Sequence, residues 1–444
     1  MEAAVPIGLE FDLLPERIDE GSAEERAAFG LFSVRTAAQT LTEGFDSFLN
    51  SYRKGPLVSG YHAAEWLAWN WWRLCYEPRT KAADWATAHK MTSIGEGYVW
   101  PNLEIWSDGV RTMLISRPSE NPEAKPFRYL GAVPTIVPSS LFRSAIDEFM
   151  PRVLTRLRDE RVPDTNLDRL WHDILAERSD GEVARRRRIE ALMGRDPDAV
   201  EDDAVEMLIA DSARLGEDAV EEIAAEHVGV GENVHVLTAS DLDDFARSVG
   251  HGASPADAVR LASAERLPLR ADVPAWRLGT DAARAVRLQE RLGTAPIANG
   301  RLAEMAGTST RAVTHSKGDA AFAFSLKDRV GSRSRIVTSG GRATTRRFAL
   351  ARIIGDQIMH RQGALHPATH AATYRQKAQR SFAAELLAPF DEVRTMLGGD
   401  YSEDRQQDIA DYFLVSPMVV NTLLKNHGVI ERDNTEYEPY VVAA

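Results

Sequence analysis

Two blocks of opposite charge dominate this chain of 444 residues. Between Asp196 and Asp257 stand 17 acidic residues against two arginines, Arg214 and Arg247, a net of −15. Between Gly331 and Arg380 stand ten basic residues against one acid, Asp356, a net of +9. A fold that holds both must let the fields meet or give each a partner, since opposite charges lower their energy by approach. Exposed pairs contribute only about 0.2–1 kcal/mol each, so the expected docking of one block on the other is soft and salt-sensitive. The overall net charge of −13 excludes a general polyanion binder and confines any such role to a local face.

Composition sets the scale. With 44% hydrophobic and 27% charged residues, the chain can bury a core, and its length corresponds to about three domains of roughly 150 residues. No apolar run approaches the ~20 residues needed to span a bilayer. The start, Met1-Glu2-Ala3-Ala4, lacks the pattern of a secretory signal. Cys75 is the single cysteine, which excludes an internal disulfide framework and a Cys-rich zinc site. A cytoplasmic protein without a membrane segment is expected.

Residues 1–138 read as a small Trp-rich α+β domain. Seven of the nine tryptophans precede residue 107, and Ala63–Cys75 reads as a helix apolar almost all round. Strand-like runs follow at Tyr98–Trp106, Arg111–Ser116 and Phe127–Leu130. Tryptophans at this spacing read as core rather than as a stacking platform. Neither His62 nor His89 has a catalytic spacing. Residues 139–272 read as a helical acidic region, with helical periods over Ser140–Leu157, Asn166–Ala176 and Ala204–Ala225. The run Arg185–Arg188, with Glu182 and Glu190 near its ends, reads as a solvated helix face. Gly229-Val230-Gly231 lacks the third glycine of a dinucleotide loop. The segment from Pro255 to Pro274 reads as a connector with a short helix inside it.

Residues 273–444 carry a resemblance. The helix Ala282–Leu288 is followed by Pro296-Ile297 and a short helix to Ala303, then by strand-like runs at Ala321–Leu326 and Ser334–Thr338. Arg346–Ala351 opens a further helix, Phe382-Ala-Ala-Glu-Leu-Leu-Ala-Pro389 forms another, and Asp408–Val420 leads to Leu423, Leu424 and Asn426. These segments resemble the ImmA/IrrE-type zinc metallopeptidases over roughly the last 170 residues. The resemblance implies a zincin-like α+β domain, so the whole chain is expected to be α+β and predominantly helical. It also predicts that the Arg346–Met359 helix packs on the Gln376–Leu387 helix.

The family's metal helix carries His-Glu-x-x-His, two imidazoles on one face with a glutamate for the metal-bound water. In register, this chain has Arg352, Ile353 and Asp356 at those positions, with Gly355 retained. The positions ahead of Phe382 that offer a third ligand are Arg375, Lys377 and Ala378. Arginine stays protonated and cannot ligate, and isoleucine cannot relay a proton. The expected site is therefore degenerate, with no catalytic residue and no cofactor. Arg352 and Asp356, four apart on one helix, are expected to pair where the metal would be. His360, His366 and His370 are the residues that could provide displaced zinc ligands.

Arg342, Arg346, Arg347, Arg361, Arg375, Lys377 and Arg380 admit two readings. They line a converted cleft that takes phosphate or a carboxylate-bearing partner, or they are surface charges neutralised by the acidic stretch. Arg301–Val313 and Asp408–Asn426 both have helix-turn-helix spacing, and both coincide with helices that the peptidase-like scaffold already needs. The resemblance implies a non-catalytic regulator that binds a protein or nucleic acid, as in stress-response, prophage, or toxin–antitoxin and phage-defence modules. The alternatives are an active zinc endopeptidase with displaced ligands, acting on a repressor, and a DNA-binding regulator using the basic face. The oligomeric state stays open.

Overall fold

The computed structural model describes residues 8–82, 84–120, 123, 125–131, 134–198, 203–227, 236–262, 267, 273–315 and 320–430. The protein is mixed α+β, with helices interspersed with small antiparallel sheets. No helix among the described residues is long and apolar enough to cross a membrane. The sequence divided the chain near 138 and 272, whereas its contacts divide it once, into Met1–Glu201 and Asp202–Ala444. The reason lies in the helices. Phe142, Ile146, Phe149, Trp171 and Ile174, assigned to the middle region, share one apolar core with Phe11, Phe32 and the tryptophans.

The first unit holds three antiparallel sheets of three strands each. The apolar run around Ala63–Cys75 forms two helices, Gly60–Trp69 and Trp71–Tyr76, because Asn70 caps the first by donating from Nδ2 to the Trp66 carbonyl at 2.8 Å. The tryptophans are core, with Trp66, Trp71, Trp72, Trp85, Trp100 and Trp106 buried, while Trp69 is exposed. The four-arginine run is absorbed locally: Arg186 pairs with Glu190, Arg187 with Glu177, Glu190 and Asp198, and Arg188 lies over Tyr76. His89 is fully buried against Trp85, with its ring nitrogens 2.7 Å from the Ile105 carbonyl and 2.8 Å from Glu77, which also pairs with Arg73.

In the second unit the periodic run Ala204–Ala225 becomes two helices, Asp203–Leu215 and Glu217–Glu226, broken at Gly216, whose φ of +96° suits glycine. The described part of the Pro255–Pro274 connector contains no helix. A four-stranded antiparallel sheet runs in the order His251–Ala253, Ser334–Val337, Ala323–Lys327, Leu365–Ala368. Its first strand comes from the acidic block and its second from the basic block. The two blocks are thus joined by backbone hydrogen bonds in one sheet.

The helix Tyr374–Leu387 is the centre of this unit, buried along nearly its whole length. It lies between the helices Ala275–Gln289 and Ala343–Met359, so the packing predicted for the latter pair is present. Both approaches depend on glycine. A Cβ on Gly279 would sit 2.2 Å from the Ala378 carbonyl oxygen and 2.7 Å from the Phe382 nitrogen. A Cβ on Gly355 would meet the Phe382 ring at 2.5 Å. The side chain of Phe382 can yield somewhat, but the backbone of the central helix cannot. Gly355→Ala should therefore cost about 1–3 kcal/mol and Gly279→Ala more, measured by denaturant unfolding.

Candidate functional site

A buried polar cluster lies where the helix Ala343–Met359, the strand Leu365–Ala368 and the central helix meet. The aliphatic sequence around it supplies the walls: Leu350, Ile353, Ile354 and Ile358 point into the apolar core. Asp356 is the one acid of its helix and has no solvent exposure. Arg375 answers it from the central helix in a two-pronged bond, Nε to Oδ1 at 2.8 Å and Nη2 to Oδ2 at 2.6 Å. Gln379 donates from Nε2 to Oδ1 at 2.7 Å, and the Nδ1 atoms of His366 and His360 lie 2.9 and 3.0 Å from Oδ2 and Oδ1. Burial alone would raise the Asp356 carboxyl; Arg375 and then His360 outweigh it and hold it well below the usual carboxylate range. The same bond holds the Arg375 guanidinium charged against the desolvation that opposes it.

Arg352 does not pair with Asp356, contrary to the sequence expectation. Its Nη2 donates to the Thr369 carbonyl and to Gln376 Oε1, with Gln379 Oε1 at 3.5 Å. The central helix decides this, because the forked guanidinium of Arg375 reaches both oxygens of Asp356 and leaves Arg352 with neutral acceptors. Burial, then repulsion from Arg380, push Arg352 down to about 9. Ile353 is fully buried core.

The acidic block closes one side of the cluster. Glu222 is buried and accepts from the Thr373 hydroxyl at 2.7 Å. Glu226 binds His370 Nδ1 at 2.7 Å and accepts from the backbone N–H groups of His370 and Ala371. His366 and His370, four apart in sequence, therefore serve different carboxylates, because they flank the end of a strand and not one face of a helix. Among the described residues no group of three or more His, Cys, Asp or Glu is arranged to hold a metal ion.

Neither of the two readings of the arginines describes them all: several are buried and tied to backbone carbonyls, and the others are dispersed. Arg346 donates to the carbonyls of Val313, Gly340 and Gly341, and Arg347 to Asn299 Oδ1 and the Ile297 carbonyl. Both are buried backbone ties, together with Arg375 in its ion pair. Arg380 donates to the Ala371 carbonyl at 2.8 Å, Lys377 is half-buried, and Arg342 and Arg361 are exposed just before and just after the helix Ala343–Met359. Glu385 of the Phe-Ala-Ala-Glu-Leu-Leu run is structural, bound to Arg284 Nε at 2.7 Å and to the Phe390 N–H.

The helix-turn-helix segments come out as scaffold. Arg311–Thr314 is only four residues long, too short for a groove-reading helix, and Arg301 is held by Glu290 and Glu304. The pair Glu403–Phe413 and Pro417–Asn426 is a true helical hairpin, but Glu403, Asp404, Asp408 and Asp411 on its first helix would repel phosphate. Comparison of the chain with protein-family models, curated proteins and solved structures finds no match.

Sequence reasoning missed Glu222, Glu226, Gln376 and Gln379. A signal for the glutamines was present: Thr373, Gln376 and Gln379 recur every three residues on a helix that is otherwise buried, which marks a polar stripe with a buried partner.

Two outcomes follow. Asp356→Ala leaves Arg375 buried and unpaired and should cost about 3–5 kcal/mol in unfolding free energy, whereas Asp356→Leu with Arg375→Met should cost less than the sum of its parts. Glu222 is raised by burial, against the pull of Arg375 and of Thr373, so it favours the folded state below its unfolded pKa and this contribution fades as pH rises through the folded value. Glu222→Gln should therefore gain in melting temperature relative to the native chain between pH 4 and pH 8.

Proposed function

We propose that the chain from about residue 273 is a metallopeptidase-like domain of the ImmA/IrrE type in which an internal ion pair stands in place of the metal. On this reading the protein acts by binding rather than by cutting. The observation that carries it is the Arg375–Asp356 pair. Asp356, in register with the second histidine of the family's motif, spends both oxygens on a guanidinium, two histidines and an amide. A divalent ion entering there would have to displace a charge-assisted fork and then sit beside Arg375 and Arg352 in a low-dielectric setting. Ile353 offers nothing to orient or deprotonate a water.

A regulator of this kind, in a stress-response, prophage or defence setting in the cytoplasm, would hold a macromolecular partner without changing it. The second reading, an endopeptidase with displaced ligands, draws on one feature: His360 and His366 both face Asp356. The two readings separate cleanly. Protein purified in metal-replete medium should contain substoichiometric zinc, and neither zinc nor chelator should alter its lack of peptide-bond hydrolysis. The triple change Arg352→His, Ile353→Glu, Asp356→His should also fail to create a peptidase, since no third ligand is supplied and Arg375 is left unpaired. Stoichiometric zinc that disappears with His366→Ala would reverse the conclusion in favour of the enzyme.

A further inference from the structure

The turn joining Ala323–Lys327 to Ser334–Val337 gathers cations that the buried cluster does not use. Asp328 closes the turn: its N–H donates to the Arg333 carbonyl at 2.9 Å, its carbonyl accepts from Gly331 at 3.0 Å, and its side chain accepts from the Arg333 N–H at 3.3 Å. Arg329 and Arg333 are exposed on this ordered turn. Behind them, Lys327 Nζ reaches the Arg361 carbonyl at 3.5 Å, and Arg361 donates to the carbonyl of Leu261, next to Arg260. Arg260 itself donates to the Pro255 carbonyl.

Lys327, Arg329, Arg333, Arg260 and Arg361 thus come from three chain segments and share one end of the sheet. Among the described residues none of the five is paired with a carboxylate, and their side-chain bonds go to backbone carbonyls. Asp328, the acid of the turn itself, accepts from the Arg333 backbone N–H, and Asp243 is held at 3.0 Å by Arg214, which also donates to the Lys327 carbonyl. Burial, then the Arg260 charge, push the Lys327 ammonium below its ordinary value. Exposed arginines without a carboxylate partner occur singly elsewhere, Arg17, Arg169 and Arg291 among them, but here five cations from three segments gather at one pole, an arrangement suited to an external anion. At the tip of the turn Val330 is 86% exposed.

We propose that this pole is a nucleic-acid-binding surface that contacts the phosphate backbone through Arg260, Lys327, Arg329, Arg333 and Arg361, with Val330 placed against sugar or base. Four of the five are arginines, whose planar fork matches phosphate oxygens two at a time. An ordered turn with an apolar point between basic flanks suits a nucleic acid, where charge and apolar faces alternate, better than an acidic peptide that offers carboxylates alone. Because the chain carries −13 overall, the rest of the molecule repels a polyanion and binding must rest on this pole. The surface does not involve Asp356 or Arg375, so its failure leaves the ion-pair reading untouched.

The test uses the full chain and a fluorescein-labelled duplex of random sequence, with anisotropy read from 50 to 200 mM salt. Five phosphate contacts imply a slope of log affinity on log salt near −4.5, a loss of several-hundred-fold over that range by the ~0.9-per-contact rule. Arg329→Glu with Arg333→Glu should weaken binding roughly tenfold or more and lower the slope by about two. Arg260→Ala with Arg361→Ala, in other segments, should do likewise, and Val330→Ser should weaken binding with the slope unchanged. Melting temperatures equal to the native value show that the exposed substitutions leave the fold intact. No binding by the native chain at 50 mM salt, or unchanged binding by both charge variants, would overturn the proposal. So would competition by polyglutamate as effective as that of DNA at equal charge, which would assign the pole to an acidic polypeptide.

Discussion

Asp356 has no exposure to solvent, and a bare carboxylate in that position would be too costly to keep charged. The second unit is arranged around that requirement. Arg375 must arrive from the central helix with its fork aligned, so that helix must lie close to Ala343–Met359, and the closeness is possible because Gly355 leaves room for the Phe382 ring. On its other side the same helix needs Gly279 to approach Ala275–Gln289. One charge pair and two absent side chains thereby fix three helices against each other.

The polar shell propagates that constraint outward. Gln379 satisfies Asp356 and the Pro367 carbonyl, and Gln376 satisfies Arg352 and the same carbonyl, so the central helix and the edge strand Leu365–Ala368 are tied at several points. Glu222 and Glu226 then fasten the helix Glu217–Glu226 to the strand end and to the start of the central helix. A buried pair of this kind contributes specificity of arrangement more readily than stability, since its Coulomb gain is largely offset by desolvation. The charge is also a reason that helix register here is narrowly defined, because a shift of one residue would strand both partners.

Much of this was legible in the sequence, and the illegible part has a physical cause. The helices Ser139–Asp159 and Asn166–Ser179 appear close to where periodicity places them, while Ala343–Met359, Tyr374–Leu387 and Glu403–Phe413, the first two buried nearly all round, were expected only from the resemblance. Asp356 and Arg375 were singled out only through the resemblance, as lost metal-ligand positions and not as partners of one another. The partner choice was not legible. Arg352 and Arg375 were both within reach of Asp356 in sequence terms, and only the approach of two helices decides between them. The roles of Arg346 and Arg347 were hidden for a similar reason: a buried arginine serving backbone carbonyls reads like any surface arginine until the carbonyls are located. Glu222 and Glu226 were lost among 17 acids, where nothing local separates a buried carboxylate from a solvated one.

The central claim is that a guanidinium–carboxylate pair holds the place a metal would take. Diffraction from crystals soaked in excess zinc, with data collected at the zinc absorption edge, addresses it directly. The account predicts no anomalous peak within bonding distance of Asp356 and unbroken density joining its two oxygens to Arg375. A zinc peak ligated by Asp356 with His360 or His366, and Arg375 swung away, would contradict it.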